Sequence, residues 1–216
     1  MKTTTLFITV LLFVSSLYSH AEKKRLYLFD DYTAGTVLMK NKSRIQSPLN
    51  YDAANHVMMF KDKDEDMILT QLEAIDTVFI DNRKFIPTGR SMFLEVLKLD
   101  NGILYINWKL EQLAKGKLGA FGQVSQNSVD AYDVDLVRGV SGKKESKGTE
   151  VYETLNKSEY WITIHDKPGK FKNKKTLLKL YPGKETTIEA FIKNNKVDMN
   201  NPDDIGKLAN FCMGLQ

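Results

Sequence analysis

The chain has 216 residues, 42% hydrophobic and 27% charged, with one cysteine and a formal charge of +4. That balance excludes a disordered or collagen-like chain, and a lone cysteine excludes an intramolecular disulfide framework. A chain of this length buries about 70% of the surface it exposes when unfolded, so it needs no staple and suits one domain, with or without an appendage.

Residues 1–21 read as an address. Lys2 supplies a positive charge, residues 6–14 (LFITVLLFV) form a short apolar run, and Ser19 and Ala21 place small side chains ahead of Glu22. A membrane span needs about 20 apolar residues, and no cysteine follows the run as a lipoprotein signal requires. The expectation is a cleaved secretory signal peptide and an exported chain. Cleavage removes one lysine and no acid, so 30 cations face 27 acids, a balance of +3. His56 and His165 are then the remaining histidines. Cys212 reads as a buried thiol, with a disulfide-linked dimer as the alternative.

Short β-prone runs follow at 36–39, 45–51, 57–60, 77–80, 85–86, 92–97 and 103–110, separated by turn signals such as Asp52-Ala53-Ala54-Asn55 and Asp100-Asn101-Gly102. Such regular spacing with short links predicts an antiparallel meander rather than βαβ units. At Gly102 a glycine accommodates the positive φ of a hairpin bulge. In 103–110, Leu104, Ile106, Trp108 and Leu110 share one face, with Tyr105, Asn107 and Lys109 on the other.

The pattern dissolves over 114–148, which Gly116, Gly119 and Gly122 punctuate and which includes FGQVSQNS and GVSGKKESKG. Long aperiodic intervals are usually functional or disordered. Two more β runs, 150–155 and 160–164, lead into a helical period. Residues 174–180 suit a short helix, and 185–194 place Ile188, Phe191 and Ile192 on one stripe. The last helix has Asn201 as N-cap, Pro202 at its first position and Asp203 and Asp204 in the first turn, with Ile205, Leu208, Ala209, Cys212 and Leu215 facing inward. The fold class expected is α+β: an antiparallel β-meander or partly closed barrel over 22–165, with a long loop near 114–148 and a cap of two to three short helices over 166–216.

Chemical motifs are sparse. Asp62, Asp64, Asp66 and Glu73 match EF-hand positions 1, 3, 5 and 12, but Met67 replaces the glycine and the flanks are β-prone, so a charged turn explains them. Two histidines and one cysteine do not make a zinc site unaided. Ser91 in GRSMF lacks the second glycine of a nucleophile elbow, and His56 and His165 read as surface groups. Glu95 and Asp100 are acids that a glycoside hydrolase would have to bring together. GKLGAFG (116–122) has no amphipathic helix after it to complete a phosphate loop. Lys167, Lys170, Lys172, Lys174, Lys175, Lys179 and Lys184 form a cluster without arginine, read first as a solvated helix face and second as an anion-attracting surface.

Four stretches in order, GTVLMKNKSRIQSPLNYDAANHVMMF, VFIDNRKFIP, FGQVSQNS and KKTLLKLYPGKETTIEAFIKNNKVDMNNPDDIGKLANF, spread over most of the chain. In these the chain resembles a set of uncharacterised exported bacterial proteins with a β-meander domain and a C-terminal helical tail. The resemblance implies a periplasmic or outer-membrane-peripheral setting and transfers no functional residues. The reading is therefore an exported envelope protein that binds an envelope protein, polymer or amphiphile. It calls for no cofactor, no nucleic-acid partner and no membrane span after cleavage. Phe121, Gln123, Ser125 and Gln126 are the candidate ligand contacts. The alternative is a carboxylate-dependent hydrolase acting on an envelope glycan.

Overall fold

The computed structural model describes residues 25–63, 65–89, 92–118, 124–125, 150–164 and 167–215. Residues 1–24, which include the stretch read above as a signal peptide, and Asp64, Ser91 and His165 lie outside them.

Ten strands build one antiparallel sheet. In chain order, β1 (Thr33–Met39), β2 (Arg44–Asp52), β3 (Val57–Asp62) and β4 (Glu65–Ile68) form one meander. A 3-10 turn at Leu72–Ala74 leads to β5 (Ile75–Ile80), β6 (Arg83–Thr88), β7 (Met92–Leu99) and β8 (Gly102–Asn107), the second meander. Pairing of β5 with β1 fuses the two. The sheet is open, a meander and not a closed barrel.

Register shows why the pattern works. Leu49, Tyr51, Val37, Val78, Ile80, Phe85, Phe93, Leu104 and Ile106 fall on one face through the pairs Val37↔Val78, Val78↔Phe85 and Leu97↔Leu104, and all are buried. The sheet curls enough for Tyr51 to stack on Phe85 at 6.0 Å and meet Phe93 edge-on at 6.5 Å. Burial holds the Tyr51 phenol above its ordinary range.

The 103–110 run does not stay one strand. The ladder stops at Asn107, and after Trp108-Lys109 the chain starts β9 (Leu110–Leu118), which belongs to a second sheet with β10 (Val124–Ser125) and β11 (Glu150–Asn156), ordered β10-β9-β11. Asn107, expected on the outer face, is buried. Paired strand thus continues to Leu118, inside the interval that reads as aperiodic. The chain re-enters the main sheet at β12 (Glu159–Ile164), which pairs with β8.

Lys167–Phe171, expected in the helical cap, forms the edge strand β13 instead. Lysine and proline are the residues that blunt an open sheet edge, and here they mask the strand. Then come α1 (Lys174–Leu178), α2 (Glu185–Asn194) and α3 (Pro202–Met213). α1 stops two residues short of its expected end. Its start is a capping box: Asn173 Oδ1 accepts from Thr176 N at 2.9 Å, and Asn173 N donates to Thr176 Oγ1 at 3.1 Å. α3 begins as expected, with Asn201 Oδ1 accepting from Asp203 N at 3.0 Å. Its stripe Ile205, Leu208, Ala209 and Cys212 is buried on the sheet, and Phe211 stacks on Phe191 of α2 at 4.1 Å. Gly102 has φ +153°, and a Cβ there would lie 2.8 Å from Met213 Sδ. The positive φ favours glycine, and the flexible end of Met213 packs closely over it.

Candidate functional site

The clearest appendage is the arm made of β9, β10 and β11. β9 and β11 pair antiparallel from Glu150↔Lys117 to Asn156↔Leu110, with a register shift between Val151 and Tyr152. None of their described side chains is buried, whereas every strand of the body except β4 contributes at least one buried residue. Leu113 and Tyr152 are exposed, and Lys115 pairs with Glu153. Register puts Leu113 opposite Glu153 and Tyr152 opposite Ala114, so apolar side chains sit on both faces of the arm.

Of the four expected contacts, Ser125 lies on β10, paired with Lys117. Phe121, Gln123 and Gln126 fall outside the described residues. The arm's position is set at its root, where Lys157 N donates to Lys109 O at 2.8 Å and Lys109 N to Ser158 Oγ at 3.0 Å. Leu110 N reaches Ala53 O at 3.1 Å, tying the first residue of β9 to the β2–β3 turn.

Directly beneath that root is a charged cluster that sequence reading missed. Glu95 on β7 stands opposite Phe85 of β6 and Ile106 of β8. Arg83 and Trp108 are each two residues further along those neighbours, so all three side chains share the inner face. Arg83 Nε donates to Glu95 Oε1 at 2.7 Å and Nη2 to Oε2 at 2.5 Å, while Trp108 Nε1 donates to Oε2 at 2.5 Å. The guanidinium lies 4.9 Å from the Phe29 ring, 5.0 Å from Trp108 and 5.5 Å from Phe85. Such stacking is where arginine differs most from lysine. Both carboxylate oxygens are occupied by the protein's own donors, an arrangement that fixes Trp108 and through it the start of the arm. The opposite charges of Arg83 and Glu95 stand at a diagonal spacing on adjacent strands, a relation that exists only through the pairing of β6 with β7.

Asn50 and Asp52 perform a related task for the N-terminal segment. Asp52, fully buried, accepts from Leu26 N, Ala54 N and Asn55 N at 3.0–3.2 Å and from Asn55 Nδ2 at 2.7 Å. Asn50 bonds both Phe29 N and Phe29 O. Phe29 is thereby held over Arg83.

The remaining candidates resolve into ordinary structure. Asp62 and Glu65 pair across a tight hairpin, and Asp66 is bound by Lys61 at 2.7 Å and Arg25 at 3.1 Å. The EF-hand spacing therefore falls on a hairpin, with Glu73 in the separate 3-10 turn. The Lys61 ammonium holds the Asp66 carboxyl below its usual range, while burial and the neighbouring Tyr27 and Asp66 raise the Tyr32 phenol. Asp100 accepts from Asn210 Nδ2 at 3.1 Å, while Glu95 is held by Arg83 and Trp108. His56 is half-buried in the β2–β3 turn at φ +61°. A groove of about 510 Å³ runs beside β4, floored by Met58 and Phe93 and rimmed by Ile68, Gln71 and Glu73. Among the described residues no helix is long and apolar enough to cross a membrane.

Comparison with protein-family models, with curated proteins and with solved structures returns no match, so a functional assignment for this chain rests on its own geometry.

Proposed function

We propose that the protein is an exported envelope component that acts by binding and not by catalysis, with the β9–β11 arm as its contact region. The observation that carries this reading is an arm without a buried described side chain, rooted in a body that already has its core. A ribbon of two long strands and the two-residue β10, with no buried face among its described side chains, is marginal in water by itself, and a partner laid along it would bury Leu113 or Tyr152. The apolar run at residues 6–14 supports export.

The glycan-hydrolase alternative needs a carboxylic acid kept protonated near neutral pH beside a second carboxylate. Asp66, Glu159 and Asp204 are each shifted downward, by Lys61, by Lys170 and by the Asp198 backbone N–H, respectively, the direction opposite to that of a general acid. These observations favour binding.

The test is photo-crosslinking in cells from position 113 or 125, with position 84 on β6 as control. The reading expects one discrete adduct from either arm position, and loss of the adduct from position 113 when residues 117–127 are deleted while the melting temperature stays within about 3 °C. Equal labelling from position 84, or an undiminished adduct in the deletion, refutes it.

A further inference from the structure

Between Lys167 and Lys184 there are seven lysines and no acid, a local charge of +7 in a chain of +4, leaving −3 for everything else. The structure places them on the edge strand β13, on α1 and in the turn into α2, and all seven are exposed. Lys170 pairs with Glu159 and Lys174 with Glu189. Lys167, Lys172, Lys175, Lys179 and Lys184 have no ion pair among the described residues. Positive charge is therefore concentrated on the lobe formed by β13, α1 and the turn into α2.

We propose that this lobe docks on an anionic lipid surface. Two features select a lipid surface over a nucleic acid or an acidic polysaccharide. First, the local rings are unavailable for stacking on a base or sugar: Phe171 and Tyr181 are buried, and Trp161 is half-buried with Lys170 Nζ 5.8 Å from its centroid. Stacking platforms are what single-stranded nucleic-acid sites are built from. Second, residues 150–216 contain no arginine, the side chain suited to bidentate grip on a fixed phosphate. Mobile, fully hydrated ammonium groups without directional partners suit a smeared negative potential, which decays within a Debye length. The contact is electrostatic and reversible, with no segment inserted.

The inference is independent of the arm. Its test is co-sedimentation of the purified protein with phosphatidylcholine vesicles, with or without phosphatidylglycerol. Binding should require the anionic lipid and weaken steeply with added salt. Each lysine near such a surface changes partition by about fivefold, so replacing Lys167, Lys172, Lys175 and Lys179 by Gln should reduce it by several hundred-fold. The charge-matched control, Lys40, Lys42, Lys84 and Lys98 to Gln, should retain most of the binding, as should the 117–127 deletion. Equal binding to neutral vesicles, equal loss in both quadruple variants, or binding of soluble polyanions without vesicle binding would each overturn the proposal. Circular dichroism and melting confirm that the variants, all at exposed positions, remain folded.

Discussion

Replacing Glu95 by Gln tests whether the cluster under the arm root is a structural lock. The substitution keeps the side chain's shape but replaces one acceptor oxygen by an NH2 group facing Arg83 or Trp108, a donor against a donor. Removing one member of a buried ion pair costs about 3–5 kcal/mol. The Glu95 side chain is only 8% exposed but that of Arg83 is 28% exposed, so water recovers part of the loss. About 2–3 kcal/mol remains after that discount. For a chain of this size each kcal/mol moves the melting temperature by about 2–4 °C, which predicts a fall of about 5–10 °C. A double-mutant cycle with Arg83→Met, read by urea unfolding, should show the pair costing at least about 1 kcal/mol less than the two singles added. Added salt should change the wild-type value little, because the pair is shielded. Additivity within about 0.5 kcal/mol, together with a melting shift under about 2 °C, would refute the lock.

Other positions give equally direct expectations. Gly35→Ala should destabilise by about 1–3 kcal/mol in urea, since its Cβ would lie 2.7 Å from the Phe79 carbonyl and 2.6 Å from Leu49 Cδ1. Asp52→Ala leaves the Leu26, Ala54 and Asn55 amides without their acceptor. It should cost about 2–4 kcal/mol and accelerate hydrogen exchange at Leu26. Asn201→Ala removes the α3 cap and should cost about 1 kcal/mol. Burial pushes the Cys212 thiol from its ordinary value of 9.0 up to about 12. Native protein should therefore resist alkylation at pH 8 and react on unfolding. An acid whose folded pKa is raised favours the folded state fully below the unfolded value. That contribution is lost as pH rises from about 9 towards 12, visible as a falling melting temperature in that window.

Most of the fold is legible where one face is buried. Residues 45–51, 57–60 and 92–97 announce themselves as short β-prone runs bounded by turn signals, 185–194 by an apolar stripe of helical period, and Asn201-Pro202-Asp203-Asp204 announces a helix start because orphan N–H groups demand it. β4 and β13 are obscure for the converse reason. All four residues of β4 are exposed. β13 is written in lysine, proline and glycine, the vocabulary of edge protection. The break at Trp108-Lys109 is invisible because Leu104, Ile106, Trp108 and Leu110 alternate straight through it, although the last belongs to another sheet. Of the candidate site, the chain position of the arm is readable from the glycines at 116, 119 and 122. Its root is not, since Arg83, Glu95 and Trp108 meet only once the order β6-β7-β8 is known.

β8 and β12 pair as though joined by a hairpin, yet residues 108–158 lie between them, entering and leaving through groups one hydrogen bond apart. The arm thus occupies the place of a turn. Joining Lys109 to Lys157 through a few residues would leave the ten-strand ladder in its register. Shortening a connection of roughly 50 residues to about four reduces the loop-closure penalty by about 2 kcal/mol. The body is in this sense a socket: the pairing of β8 with β12 sets where the arm is plugged in, and no pair of the ten-strand ladder runs through the arm itself.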